Sequence, residues 1–274
     1  MKLSTIHTRL HSFTRFGAQM INVFSRFQVS RLVFSIVAGM FVLVGLGKQV
    51  YADDYVVALN HAPPYRIIES TSDGTKFSGF YIEIIKELAR RLDFSLTFKE
   101  VPFRRAIAMM ENGSADIMVG PNRTAEREKF MMYLDEELSR ERKAFFIQTA
   151  APDIVQYEGL ADKKIGVLRG SVYFDRFDAD NTLNKFDISD YSSVLNMVDK
   201  GRLDTAIAPE MLGDFTSRIL KFNLKKASYK IEGRPSFIAV SKKSALREMK
   251  KKLNAALREI KADGTMAQFT KNYR

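Results

Sequence analysis

The sequence predicts an α/β protein built from two lobes of similar plan, and three observations carry this. Strand-length apolar runs alternate with amphipathic helical segments through short turns, which implies parallel or mixed sheets covered by helices on both faces. One phrase occurs twice, at residues 109–120 (MMENGSADIMVG) and 196–209 (NMVDKGRLDTAIAP): a helix end, a glycine, two residues, an aspartate and an apolar strand. The chain has 274 residues, 46% apolar and 27% charged, enough for one large or two small domains.

The elements follow in order. Residues 1–52 hold six Lys and Arg and no acid, with an apolar run at 32–47 (LVFSIVAGMFVLVGLG) and a small-residue site at Val50-Tyr51-Ala52. This is the pattern of an export signal cut after Ala52. The run is shorter than the roughly 20 residues a membrane span needs, although an uncleaved anchor and a true start at Met20 stay open. Residues 55–59 (YVVAL) read as a strand, followed by a turn at His61-Ala62-Pro63-Pro64-Tyr65. Residues 80–92 (FYIEIIKELARRL) place Ile85, Leu88, Ala89 and Leu92 on one helical face. A strand at 95–101 precedes a helix at 103–112, opened by Pro102 and ended by Gly113. A strand at 116–120 runs out at Gly120-Pro121, and a helix restarts behind the cap Thr124.

Residues 165–168 (IGVL) with Gly170-Ser171 open a second set of elements as 56–59 open the first. A last strand at 236–240 and a helix at 245–262 finish either lobe. Open α/β sheets bind ligands in a crevice at the carboxyl ends of their strands, which here are Gly120-Pro121-Asn122 and Pro209-Glu210.

Arg123 and Arg127 stand at a helix start, where exposed amides and the positive end of the dipole favour acids. Two readings are open. Either they form surface ion pairs with Glu126 and Glu128, or Arg127 and the amides face a bound anion.

Composition excludes several classes. Net charge is +11, but the leader inflates it, and the remainder has a mild excess of five bases spread along the chain, with no basic block interleaved with aromatics. Nucleic acid is not an expected partner. There is no cysteine for a disulfide or a lipid anchor. Of three histidines two lie in the leader, and His61 reads as a surface or pocket-rim residue, so no metal or other cofactor is expected.

Six phrases in order, APPYRI, GFYIEIIKELARRL, NGSADIMVG, TAER, KKIGVLRGS and IKADGTMAQFTKNY, resemble the family 3 extracellular solute-binding proteins, the periplasmic receptors of amino-acid ABC importers. The resemblance spans residues 55–273. It implies the two-lobe periplasmic binding protein fold (type II), with mixed sheets flanked by helices and a ligand cleft between the lobes. By it, residues 53–141 with 236–274 form the first lobe and 142–235 the second. The lobes close on a hinge around an amino acid or small di-acid, and the closed monomer is read by an inner-membrane permease.

The resemblance also implies site residues. Arg127 occupies the place of the arginine that takes the ligand carboxylate, with Gly120 and Asn122 beside it and Ser171 contributing from the second lobe. Glu210 stands where the family has an aspartate for the α-amino group. Phe80 matches an aromatic pocket wall, and Tyr65 belongs to the Pro-Pro turn. Arg105 is either a cleft residue or an exposed arginine at a helix start. The main alternatives to a non-enzymatic receptor are a cleft enzyme of the cyclohexadienyl or arogenate dehydratase kind, which needs a general acid, and a membrane-anchored sensory domain.

Overall fold

The structure, a computed structural model, describes residues 53–273; the export signal expected at 1–52 lies outside them. In chain order the elements are β1 (Asp54–Leu59), β2 (Ile67–Thr71), β3 (Gly74–Ser78), α1 (Phe80–Leu92), β4 (Ser95–Glu100), α2 (Phe103–Asn112), β5 (Ile117–Asn122), α3 (Ala125–Glu128), β6 (Met131–Tyr133) and β7 (Ser139–Arg140). Then come β8 (Lys143–Gln148), β9 (Ile165–Leu168), α4 (Asp175–Ala179), β10 (Lys185–Ile188), α5 (Tyr191–Asp199), β11 (Thr205–Pro209), α6 (Glu210–Leu220) and β12 (Leu224–Ile231). The chain closes with β13 (Pro235–Ser241), α7 (Lys250–Ala262) and α8 (Thr265–Asn272).

Two mixed sheets of the same plan result. The first has the order β4-β1-β5-β13-β6 with β7 beside β13, the second β10-β9-β11-β8-β12. In each, three parallel strands (β4, β1, β5; β10, β9, β11) are followed by an antiparallel neighbour (β13; β8). β13 joins the first sheet after the chain has built the second, whereas β8 precedes the parallel strands of its own sheet. Residues 141–142 carry the chain from β7 in the first sheet to β8 in the second, and residues 232–234 carry it back from β12 to β13.

The repeated phrase has a physical cause. Gly113 and Gly201 take positive φ values of 83° and 65°, which end their helices at no cost in Cβ clash. Three residues on, Asp116 Oδ2 accepts from the Val56 amide at 2.9 Å, and Asp204 Oδ2 accepts from the Lys164 amide at 2.7 Å. Each aspartate satisfies an amide at the head of the first parallel strand of its sheet, β1 or β9, so the same four-residue spacing serves both sheets.

Burial follows the apolar pattern. Ile85 and Leu88 of α1, Met110 of α2, and Val57 and Ile117 of the first sheet are fully buried, and Phe145, Ile165, Phe177 and Ile207 fill the second core. Each such side chain contributes about 1.5–3 kcal/mol.

Three expectations change. β5 does not stop at Gly120 but continues through Pro121 to Asn122, because its pairing with β13 is irregular between Ser236 and Ile238, where a residue without an N–H is tolerated. The helix expected at 245–262 begins with a 3₁₀ turn, Ala245–Met249, and becomes α-helical at Lys250. The hairpin β2–β3 is additional.

Candidate functional site

The cleft forms where the carboxyl ends of the parallel strands of both sheets converge. The first sheet supplies the turn after β1 with Arg66, and Gly120 and Asn122 of β5; the second supplies Leu168 and Ser171 after β9 and Pro209 of β11. The crossing residues Glu141 and Arg234, and Lys143 at the start of β8, line the same cavity. Helices that follow parallel strands point their N-termini here. Phe103 opens α2 and Tyr191 opens α5, and both face the cavity. The first turn of α2 has no acid to balance its exposed amides.

Arg66 is 7% exposed. It donates from Nε and Nη2 to the Asn60 carbonyl and Oδ1, both at 3.2 Å, and from Nη1 to the Val119 carbonyl at 2.8 Å. Two of its five N–H groups remain unspent. No carboxylate pairs with it among the described residues, and burial pulls its pKa down against the opposing influence of Tyr81, Tyr191 and Tyr65. Gly120 makes room for it: at φ 96°, a Cβ on this residue would meet Arg66 Nη1 and the Tyr81 ring at 2.6 Å. The Tyr81 hydroxyl in turn joins Ser139 of β7 and Ser236 of β13, each at 2.5 Å.

Lys143, the first residue of β8, is 8% exposed, and its side-chain amine has no hydrogen bond or ion pair among the described residues. Burial pushes its amine down to about 8, against the opposing charge of Glu141. Glu141 is half-buried, and its Oε1 accepts from the Met211 amide at 2.9 Å. The Tyr65 hydroxyl is buried without a partner, and burial together with the Glu141 charge drives its pKa well above the ordinary value. Arg234 forms an ion pair with the exposed Asp175.

Of the residues expected from the sequence, the structure brings Tyr65, Gly120, Asn122 and Ser171 together around the cavity. Arg127 stands behind it. This arginine is 6% exposed, with no acid paired to it among the described residues, and burial lowers its pKa. Its guanidinium donates to the Asn122 carbonyl and, across to the second sheet, to the Gly170 carbonyl, both at 2.9 Å. Arg123 forms the surface pair with Glu128, and Thr124 caps α3 by accepting from the Arg127 amide at 3.2 Å.

Besides Arg127, three further expected residues lie outside the cavity lining. Glu210 turns onto β12 and binds Lys226 at 2.8 Å and Arg142 at 3.2 Å; partial burial raises its pKa, but Lys226, Arg142 and Lys230 outweigh that and lower it. Arg105 is exposed, and its neighbour Arg104 is the one that packs against Gly170. Phe80 is buried against Tyr65, centroids 5.0 Å apart, and lines not this cavity but an adjoining one that shares Ser139 and Glu141 with it.

The sequence reading passed over Arg66, Glu141 and Lys143. Arg66 stands inside the quoted APPYRI phrase, and the adjacent charges at 140–143 (RERK), just before an apolar strand, were the available signal for the others.

The comparisons with known proteins agree with this architecture. The family model for bacterial extracellular solute-binding proteins, family 3, matches residues 55–274. The histidine-binding periplasmic protein of Escherichia coli is 27% identical over 227 residues, covering 77% of this chain and 84% of that protein. An amino-acid-binding protein of Dichelobacter nodosus is 25% identical over 228 residues, covering 81% and 88%. Among solved structures, an amino acid ABC transporter substrate-binding protein of Streptococcus pneumoniae, bound to L-arginine, superimposes with a TM-score of 0.72 over 80% of this chain and 94% of that one, at 20% identity. A histidine kinase sensor domain reaches the same TM-score at 16% identity over 82% and 97%, so this likeness reports the fold alone. With the family model spanning nearly all described residues, and two like sheets meeting at a polar cleft, the chain belongs to the bacterial extracellular solute-binding proteins, family 3.

Proposed function

We propose that the chain is exported, cut after Ala52, and works in the periplasm as a monomeric, non-catalytic receptor that captures an amino acid or similar small carboxylate and hands it to an inner-membrane ABC permease. Residues 53–141 with 236–274 would form one lobe and 142–235 the other, closing on the two crossing segments. The single observation that carries this reading is the pair of buried cations, Arg66 and Lys143, facing one cavity with no carboxylate paired to them among the described residues. A buried charge left without a partner is costly, and a solute anion supplies the partner.

Glu141 would receive the ammonium group, the role that the family resemblance implies for Glu210. Tyr65, Gly120, Asn122 and Ser171 complete the wall. Arg127, tied to carbonyls of both sheets, holds the turns at Asn122 and Gly170 together behind it. Relatives named for histidine, arginine or amino acids in general support the solute class.

A thermal-shift panel of the twenty amino acids, small dicarboxylates, polyamines and sugars tests the reading. A ligand that binds only the folded state stabilises it by RT ln(1 + [L]/Kd), about 2.7 kcal/mol at a hundredfold excess over Kd. At least one amino acid or small carboxylate is expected to raise the unfolding midpoint by several degrees. A panel that responds only to sugars or polyamines contradicts the proposal.

A further inference from the structure

Resting on the reading that this cleft is the solute site, we propose that it selects a solute bearing two anionic groups and one cationic group, an acidic amino acid being the simplest, and that Lys143 sets this preference. The argument is one of charge matching in a buried space. Arg66 reaches the cavity from the turn after β1 in the first sheet, and Lys143 from the start of β8 in the second. The two cations therefore reach one cavity from different sheets. Glu141, two residues before Lys143, is the acid beside them, while Arg234 is already paired with Asp175.

With Arg234 left to Asp175 and Arg127 to the Asn122 and Gly170 carbonyls, the unmatched charge among the residues lining the cavity is two positive and one negative. A neutral zwitterion satisfies one cation and Glu141 and leaves the other cation buried alone. A basic amino acid adds a second positive group to that surplus. A dicarboxylate without an ammonium leaves Glu141 unmatched. Only two anions with one cation match all three groups, and a mismatched buried charge is the most expensive error such a site can make.

Lys143 is the discriminating residue because no side chain or carbonyl among the described residues pairs with its amine. Arg66 has three hydrogen bonds to protein oxygens. The Lys143 amine has none among the described residues, although the residue is 8% exposed, and its lowered basicity is what burial without a partner produces. The Tyr65 hydroxyl, also buried in the cavity wall without a partner, is a further polar group left for a ligand. The relatives named for histidine and arginine differ from this chain on this reading, since a cationic side chain would meet Lys143 instead of an acid.

The test is calorimetric titration of the full chain with glutamate against glutamine and aspartate against asparagine, pairs that differ by one charge. The acid of at least one pair is expected to bind tenfold or more tightly than its amide. Lys143→Met is expected to collapse that ratio toward one, and Lys143→Arg to retain most of it. An amide that binds as well as its acid, or a ratio unchanged in Lys143→Met, overturns the inference. If neutral or basic amino acids bind and the acids do not, the receptor function stands and this inference falls. If no amino acid or small carboxylate in the wider panel binds, both fall.

Discussion

Lys143 shows how a binding residue is paid for in stability. Its amine is lowered from 10.5 to about 8, so folding carries a penalty of about 3 kcal/mol at pH 7, at roughly 1.4 kcal/mol per unit. The sign follows from proton counting: between pH 8 and 10.5 the unfolded chain holds a proton on this lysine that the folded chain has released, so stability from this group rises with pH across that window. Lys143→Met, without ligand, is therefore expected to raise the unfolding midpoint at pH 7 by roughly 5–10 °C. The gap between variant and wild type should shrink as pH climbs from 8 toward 10.5. Thermal melts over that range check it, and a variant less stable than wild type at pH 7 would mean that the lysine is solvated or paired.

At the same scale, Arg127 was legible as an unusual arginine and Glu210 as a strand-end acid, but the directions of their side chains were not. Arg127 finds two carbonyls, and Glu210 finds Lys226, a residue of β12 that is sixteen positions away in sequence. Partners brought in by tertiary structure leave no local signal.

Among the elements, those with both an amphipathic face and a glycine or proline boundary were read to the residue. α1 spans Phe80–Leu92 and α2 spans Phe103–Asn112, as the pattern required. The β2–β3 hairpin was missed because its strands are largely exposed and polar, so no apolar alternation marks them; the Asp73-Gly74 turn was the one cue. The crossing segments were also invisible to pattern reading, and there close approach, not hydrophobicity, is what matters. Gly233 is buried against the backbone of the other segment, and a Cβ on it would fall 1.3 Å from the Glu141 carbonyl oxygen. Gly233→Ala is therefore expected to force the two segments apart at a cost of about 1–3 kcal/mol, lowering the unfolding midpoint by several degrees. A melt within about 1 °C of wild type would show that the segments have slack at this point.

For the whole molecule, the alternation of strands and helices and the repeated glycine–aspartate phrase were enough to foresee two sheets of one plan. They were also enough to foresee a cavity at the strand ends, since topology fixes where strand carboxyl ends and helix N-termini gather. What topology does not fix is which charges come to face the cavity, and the function turns on those. The central claim is that buried cations in this cleft hold a solute anion. It is tested most directly by the ratio of dissociation constants, from titration calorimetry, for Arg66→Met and wild type with whichever solute stabilises the wild-type chain most. Removing one partner of a buried charge pair costs about 2 kcal/mol or more, so binding should weaken at least about thirtyfold. A dissociation constant within about twofold of wild type would contradict the account.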